Sequence, residues 1–238
     1  MSERPRLAQH SIPGRRPYQE DSIHAGELAD GRILVAVADG MGGHEAGHVA
    51  SQMVRDSLAA IGPQGSLASG VAAVKSTLAH VNEYLHSMSQ RRINPVVSGT
   101  TVVVLLTQGA TGICLWAGDS RLYRLREGTL EQISVDHSEE EEGTGDDGMP
   151  RRANVITRAV GGREELELDQ LSFDIKLGDR LLLCSDGLYR ELSPEQIAEM
   201  LQNGDAMSAV ETLQLRVLRG EAADNVTVIV IDAQPEAD

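Results

Sequence analysis

Two long amphipathic segments follow one another with no strand between them, and this order constrains the fold more than any other feature of the chain. In the first, Ala46, Val49, Ala50, Met53, Val54, Ser57, Leu58 and Ile61 recur at helical spacing, the stripe of a helix that faces a core. Gly62 and Pro63 stop it. In the second, Val71, Val74, Leu78, Val81, Leu85 and Met88 share one face. Before this pair lies a continuous apolar run, 33–38, closed by Asp39 and Gly40; its length and bounding turn predict a buried strand. After the pair the pattern predicts strands at 100–106, 113–117, 122–125, 130–135, 166–173 and 180–184, with a last one at 226–231. A second helix pair precedes that last strand. Ser193 and Gln196 read as a capping box with Pro194 at the first helical position, and Ala206, Val210, Leu213 and Val217 line the core face of the next helix. Paired helices and strands in runs argue against alternating βαβ units. They predict an α+β fold, with antiparallel sheets and helix pairs packed outside. Residues 138–150 stand apart as acidic, glycine-rich and without periodicity, which reads as an exposed loop.

The 238 residues, 41% of them hydrophobic, can bury a sizeable core and exclude a disordered or collagen-like chain. The whole of 1–238 reads as a single domain. With Trp 1, Tyr 4 and Phe 1, the core has to be aliphatic, and stacking on bases or sugars is a poor candidate activity. Lys+Arg 21 against Asp+Glu 36 gives −15, the wrong sign for nucleic acid or an anionic membrane surface. A surplus of carboxylates suits divalent cations instead. Cys114 and Cys184 lie in apolar runs and read as free buried thiols of a reducing compartment. Residues 1–12 lack an apolar h-region, and no stretch approaches the ~18 apolar residues of a membrane span. The expectation is a soluble cytoplasmic protein.

Two motifs are decoys. His44, Glu45 and His48 match H-E-x-x-H, which on a helix could hold zinc. The match falls at a helix start, carries Gly47 and has no downstream metzincin pattern. Gly143, Gly145 and Gly148 match G-x-G-x-x-G, but a dinucleotide site needs a strand before it and a helix after it. Here Asp146 and Asp147 would repel a pyrophosphate.

The informative pattern is a set of carboxylates at strand ends, each beside a small or turn residue: Glu20 and Asp21, Asp39 before Gly40, Asp119 before Ser120, Asp186 before Gly187, and Asp224 before Asn225. A strand end is rigid enough to fix a carboxylate in space. Mg²⁺ and Mn²⁺ prefer oxygen ligands. Two such ions ~3.5–4 Å apart need several carboxylates, one of them bridging, and water between the ions readily loses a proton to become a nucleophile. Asp39 suits the bridge, because Gly40 lets a backbone carbonyl approach a metal as well.

These residues stand within longer motifs. Arg16 through Glu20-Asp21 resembles the R-x-x-x-E-D opening of the bacterial metal-dependent type 2C (PPM family) Ser/Thr protein phosphatases. Asp39-Gly40-Met41-Gly42-Gly43 resembles their D-G-x-G-G, Ser98-Gly99-Thr100-Thr101 their S-G-T-T, and Gly118-Asp119-Ser120-Arg121 their G-D-S-R. Ser185-Asp186-Gly187-Leu188 and Asp224-Asn225-Val226-Thr227 resemble S-D-G-[LIV] and the closing D-N-x-[ST]. The motifs keep the family's order from Arg16 to Ile231. The resemblance implies a sandwich of two antiparallel sheets with a helix pair outside each, in α-β-β-α layers. It implies hydrolysis of phosphoserine and phosphothreonine by direct attack of a hydroxide bridging two Mn²⁺ or Mg²⁺ ions, without a phosphoenzyme. Asp39 would bridge, with the Gly40 carbonyl on one ion. Asp186 and Asp224 would complete the first site, and Glu20 and Asp21 would orient metal waters. Asp119, with Asp186, would hold a weaker third ion.

Arg16 would bind the substrate phosphate, since a guanidinium fork matches two phosphate oxygens. Eukaryotic relatives carry a histidine, a proposed general acid, where this chain has Met41; nearby His44 or a metal-bound water would then protonate the leaving group. Residues from about 137 to 153 correspond to the family's flap. Natural partners by family are a bacterial Ser/Thr kinase and its phosphorylated targets. The rivals are a regulatory phosphatase with one dedicated partner, a pseudophosphatase that only binds phosphoproteins and, more distantly, the zinc peptidase.

Overall fold

The computed structural model describes residues 7–28, 31–42, 45–90, 98–144 and 150–233. Its logic is clearest in β3 (Ile33–Met41), which is buried on both faces. Leu34, Ala36 and Ala38 pack with Ala50, Val54 and Leu58 of α1 (Glu45–Ala59) and with Val74, Leu78, Val81 and Leu85 of α2 (Leu67–Gln90). The alternate residues Ile33, Val35 and Val37 point the other way, into a core shared with Leu181, Leu183, Ile229 and Ile231 of the opposite sheet. The period of two in a strand thus splits one apolar run between two cores. Each fully buried aliphatic side chain in these layers contributes roughly 1.5–3 kcal/mol.

The first sheet has six strands in the order β11-β6-β5-β3-β2, with β4 pairing β3 off the path. Its members besides β3 are β2 (Asp21–Glu27), β4 (Gly99–Thr100), β5 (Val102–Gln108), β6 (Thr111–Ala117) and β11 (Asp169–Asp174). The second has five, in the order β1-β13-β12-β7-β8. These are β1 (Leu7–Ile12), β7 (Arg121–Arg126), β8 (Thr129–Gln132), β12 (Arg180–Cys184) and β13 (Val226–Asp232). All the pairings are antiparallel. Outside the second sheet lie α3 (Asp186–Glu191), α4 (Pro194–Gln202) and α5 (Ala206–Leu218). Leu188, Ile197, Leu201, Val210, Leu213 and Val217 pack there against Leu182, Val228 and Val230. The antiparallel sheets with helices outside are those expected from the order of elements, and their packing is the sandwich that the resemblance implies, with the short α3 added to the pair α4 and α5; among the described residues no helix is long and apolar enough to cross a membrane.

Several expectations change in detail. The stripe of α1 runs through Ala46, Ala50, Val54 and Leu58, while Val49 is 49% exposed. The strand expected at 100–106 breaks at Thr101, whose N–H leaves the ladder for the Asp39 carbonyl (2.9 Å). The strand expected at 166–173 begins only at Asp169, and that expected at 130–135 is β8, ending at Gln132. The acidic segment expected as an irregular loop pairs with itself: β9 (Ser138–Thr144) and β10 (Pro150–Ile156) form a separate two-stranded ladder. The capping box is present, with the Gln196 N–H donating to Ser193 Oγ and the Ser193 N–H to Gln196 Oε1.

Candidate active site

The carboxylates gather where the ends of the two sheets meet. In the first sheet, Asp21 opens β2 and lies directly opposite Asp39 in the β2–β3 register. Asp119 follows β6 through Gly118, whose φ of +112° suits glycine, and a Cβ there would press on Thr101. From the second sheet, Asp186 starts α3 one residue after β12, and Asp224 immediately precedes Asn225 and β13. Ser185 Oγ donates to Asp21 Oδ2 at 2.7 Å and so ties the sheets together. The Gly40 N–H donates to the Glu20 carbonyl at 3.1 Å. The backbones of Gly40 and Gly47 cross so closely that a Cβ on Gly40 would collide with the Gly47 carbonyl.

Like charges opposite one another in a ladder are destabilising, and the titration of the group reflects it. Burial, then the charges of Asp21, Asp186, Asp119 and Asp224, hold the Asp39 carboxyl well above the usual range. Asp21 is pushed up to about 7, chiefly by burial and further by Asp186 and Asp224, against hydrogen bonds from Thr227 and Ser185. Asp119 rises to about 6 through burial and the Asp186 charge. Asp186 is raised by burial against the pull of Arg190, with the Asp224 charge adding to the rise. Arg16 Nη2 reaches Asp224 Oδ2 at 2.8 Å, and Arg190 Nη2 reaches Asp186 Oδ2 at 2.8 Å.

This chemistry fits divalent cations. Buried Asp21 Oδ1 has no hydrogen-bond partner, and clustered carboxyls that would have to protonate near neutrality are relieved by positive charge. Among the described residues no three His, Cys, Asp or Glu side chains close on a common point as a ready-made cage. Ions held here would complete their shells with backbone oxygen and water, as hard cations readily do.

A supporting layer positions the cluster, and sequence reasoning missed most of it. Asn225 Oδ1 accepts from the Glu20 N–H at 2.7 Å, while its Nδ2 donates to the carbonyls of Pro13 (2.9 Å) and Tyr18 (3.0 Å). One side chain thus pins the loop that carries Arg16. Thr101 Oγ1 accepts from the Asp39 N–H at 3.2 Å and lies 2.7 Å from Ser120 Oγ, so the S-G-T-T segment links the Asp39 backbone to the residue after Asp119. The signal available was adjacency: Asn225 stands next to Asp224, and Thr101 lies in a quoted motif. His137 Nδ1 accepts from the Gly118 N–H (3.3 Å) and its Nε2 faces Asp169 (3.1 Å), which braces the Asp119 turn at the base of β9.

The decoys dissolve. His48 Nδ1 is bonded to the Gln19 carbonyl at 2.8 Å and anchors α1 to the Glu20 segment. His44, the candidate general acid, lies outside the described residues. Gly143 and Thr144 belong to β9, and the next described element is the strand β10; Gly145 and Gly148 lie outside the described residues.

A helix-flanked sandwich with aspartates converging where its two sheets meet defines a domain built to hold divalent cations. Residues 17–227 match the family described as Protein phosphatase 2C, and the chain belongs to that family. It is 36% identical over 228 residues to the serine/threonine protein phosphatase PstP of Mycobacterium tuberculosis, a match that covers 91% of this chain and 42% of PstP. The chain thus spans less than half the length of that relative. Among solved structures, PppA, described as a key regulatory component of T6SS in Pseudomonas aeruginosa, superposes with a TM-score of 0.85 at 40% identity, covering 96% of this chain and 97% of PppA. The catalytic domain of PstP in complex with two manganese ions superposes with a TM-score of 0.78 at 36% identity, over 95% and 97% of the two chains.

Proposed function

We propose that this chain is a metal-dependent phosphatase that hydrolyses phosphoserine and phosphothreonine in proteins, working as one catalytic domain. The observation that carries the reading is that Asp21 and Asp39 face each other in the β2–β3 register, with Asp21 bonded to Ser185, the neighbour of Asp186 on the other sheet. A phosphate dianion could not approach such a cluster unless cations were bound first. Asp39, Asp186 and Asp224 would hold two Mn²⁺ or Mg²⁺ ions, with Glu20, Asp21 and the Gly40 carbonyl completing or ordering their shells. Bound there, the ions supply Lewis-acid charge to phosphoryl oxygens and lower the pKa of water so that it can attack phosphorus.

The chain's own residues do the rest. Arg16, 54% exposed at its side chain and paired with Asp224, is free to turn its fork toward a substrate phosphate once Asp224 is neutralised by a cation. Asn225 keeps the Arg16 loop in register with the carboxylates. We take the β9–β10 ladder to be the flap beside the site. His44 is the candidate proton donor to the leaving group.

The partners we infer are phosphoproteins, including a bacterial Ser/Thr kinase and its targets, and the setting is the cytoplasm, where free buried Cys114 and Cys184 would stay reduced. The likeness to PppA favours a narrower version, a regulatory phosphatase serving one apparatus. Turnover of p-nitrophenyl phosphate and a phosphothreonine peptide with Mn²⁺, Mg²⁺, Zn²⁺ or EDTA tests the reading. Activity with Mn²⁺ or Mg²⁺, abolished by EDTA and by Asp39→Ala, is expected. Phosphopeptide binding without turnover would make the chain a pseudophosphatase.

A further inference from the structure

The third cation expected between Asp119 and Asp186 does not fit the residues around that pair, because an arginine already stands there. Arg190 lies one helical turn after Asp186 on α3, and its Nη2 is 2.8 Å from Asp186 Oδ2. The same nitrogen is 4.0 Å from Asp119 Oδ2, a residue 71 positions earlier that comes from the other sheet. The i,i+4 contact alone would be an ordinary helix-surface pair. The reach to Asp119 is not, because it needs α3 and the Asp119 turn to be held at a fixed distance.

Two observations show that they are. The Tyr189 hydroxyl donates to the Asp119 backbone carbonyl at 2.9 Å, which fixes α3 against the turn through the residue adjacent to Arg190. The Tyr189 ring is itself clamped. Arg121 lies over it with its guanidinium carbon 3.4 Å from the ring centroid, and Arg121 grips Asp136 through Nε and Nη2 at 2.9 and 2.7 Å. Asp119, Asp186 and Arg190 are therefore parts of one braced unit.

We propose that Arg190 is a built-in cation that occupies the Asp119–Asp186 pair and excludes a third divalent ion from this chain's site. The inference rests on the two-ion reading above and goes beyond it. A guanidinium keeps its charge at every pH at which the protein is folded, so the outer pair holds a fixed positive charge beside it whatever the metal supply. A divalent ion arriving there would meet a positive charge already bonded to one of its two carboxylate ligands. It could enter only by driving Arg190 into solvent. Arg16 pairs with Asp224, but among the described residues no ion pair reaches Asp21 or Asp39. Asp21 and Asp39 thus depend on metal for positive charge, whereas the side of Asp186 that faces Asp119 already has Arg190 beside it.

Equilibrium dialysis against millimolar Mn²⁺, followed by metal analysis of the dialysed protein, tests this with a readout independent of turnover. Wild type is expected to take up two Mn²⁺ per chain. Arg190→Ala and Arg190→Gln, which remove the charge from a half-exposed side chain, should take up a third, with at least a tenfold gain in affinity at that site. Arg190→Lys should stay at two, and thermal melts of each variant confirm that it is folded. Three ions on wild type would overturn the proposal, as would two ions on both Arg190→Ala and Arg190→Gln. No ion on wild type would overturn the two-ion reading and this inference with it.

Discussion

Replacing Asp21 by Asn in the metal-free protein isolates the electrostatic strain of the carboxylate cluster. In the folded chain Asp21 titrates near pH 7, against 3.8 for an ordinary aspartate. A carboxyl raised on folding contributes stability that is intact below the unfolded pKa and is lost as pH climbs toward the folded one, because the unfolded chain gives up its proton first. The window for Asp21 therefore runs from about pH 4 to about pH 7. Three units at 1.36 kcal/mol each amount to about 4 kcal/mol as a ceiling, since Asp39 and Asp186 compete for the same proton. Asparagine keeps an acceptor for Ser185 Oγ and removes the charge. At roughly 2–4 °C per kcal/mol for a chain of this size, Asp21→Asn in EDTA should melt up to about 15 °C above wild type at about pH 8, with little gain at about pH 4. Added Mn²⁺ should stabilise wild type more than the variant. Melting curves of both proteins at the two pH values, with EDTA or Mn²⁺, measure all of this. An equal shift at both pH values, or destabilisation at the higher one, would refute the reasoning.

Arg16→Ala should raise KM for a phosphothreonine peptide while leaving kcat nearly unchanged, because bound metals would carry most of the charge at phosphorus. Arg15→Ala is the control, since Arg15 engages Ala222 through its backbone N–H; steady-state kinetics on both variants would expose a motif misplaced by one residue. Asn225→Ala removes three hydrogen bonds that hold the Arg16 loop, at about 1 kcal/mol each. Urea unfolding should show a loss of about 2–3 kcal/mol, accompanied by a KM defect like that of Arg16→Ala; a stable variant with normal KM would separate the loop from substrate binding.

The layers were legible because their signals are long. The run at 33–38 and the stripes of α1 and α2 repeat over enough residues to fix type and burial, and the aspartates that close strands could be picked out one by one. What escaped was short or cooperative. The strand β1, Leu-Ala-Gln-His-Ser-Ile, has weak alternation and exists because it pairs with β13. The six-residue α3 is too short for a periodicity, yet it sets both Asp186 and Arg190. The β9–β10 ladder carries glutamates where pattern reasoning looks for apolar residues, so its pairing left no trace in hydropathy. The roles of Asn225 and Thr101 depend on backbone groups more than sixty residues away in sequence, a distance that no local pattern spans. Convergence of the aspartates could be expected from their family order, but the arginine between Asp119 and Asp186 could not, because i,i+4 spacing alone does not say which other strand end lies within reach.

Anomalous diffraction from crystals of the wild-type protein grown with Mn²⁺ tests the central claim most directly. Two peaks about 3.5–4 Å apart, both touching the Asp39 carboxylate, with Asp186 and Asp224 beside them, are the predicted result. Peaks that avoid Asp39, or a single peak remote from the five aspartates, would contradict it.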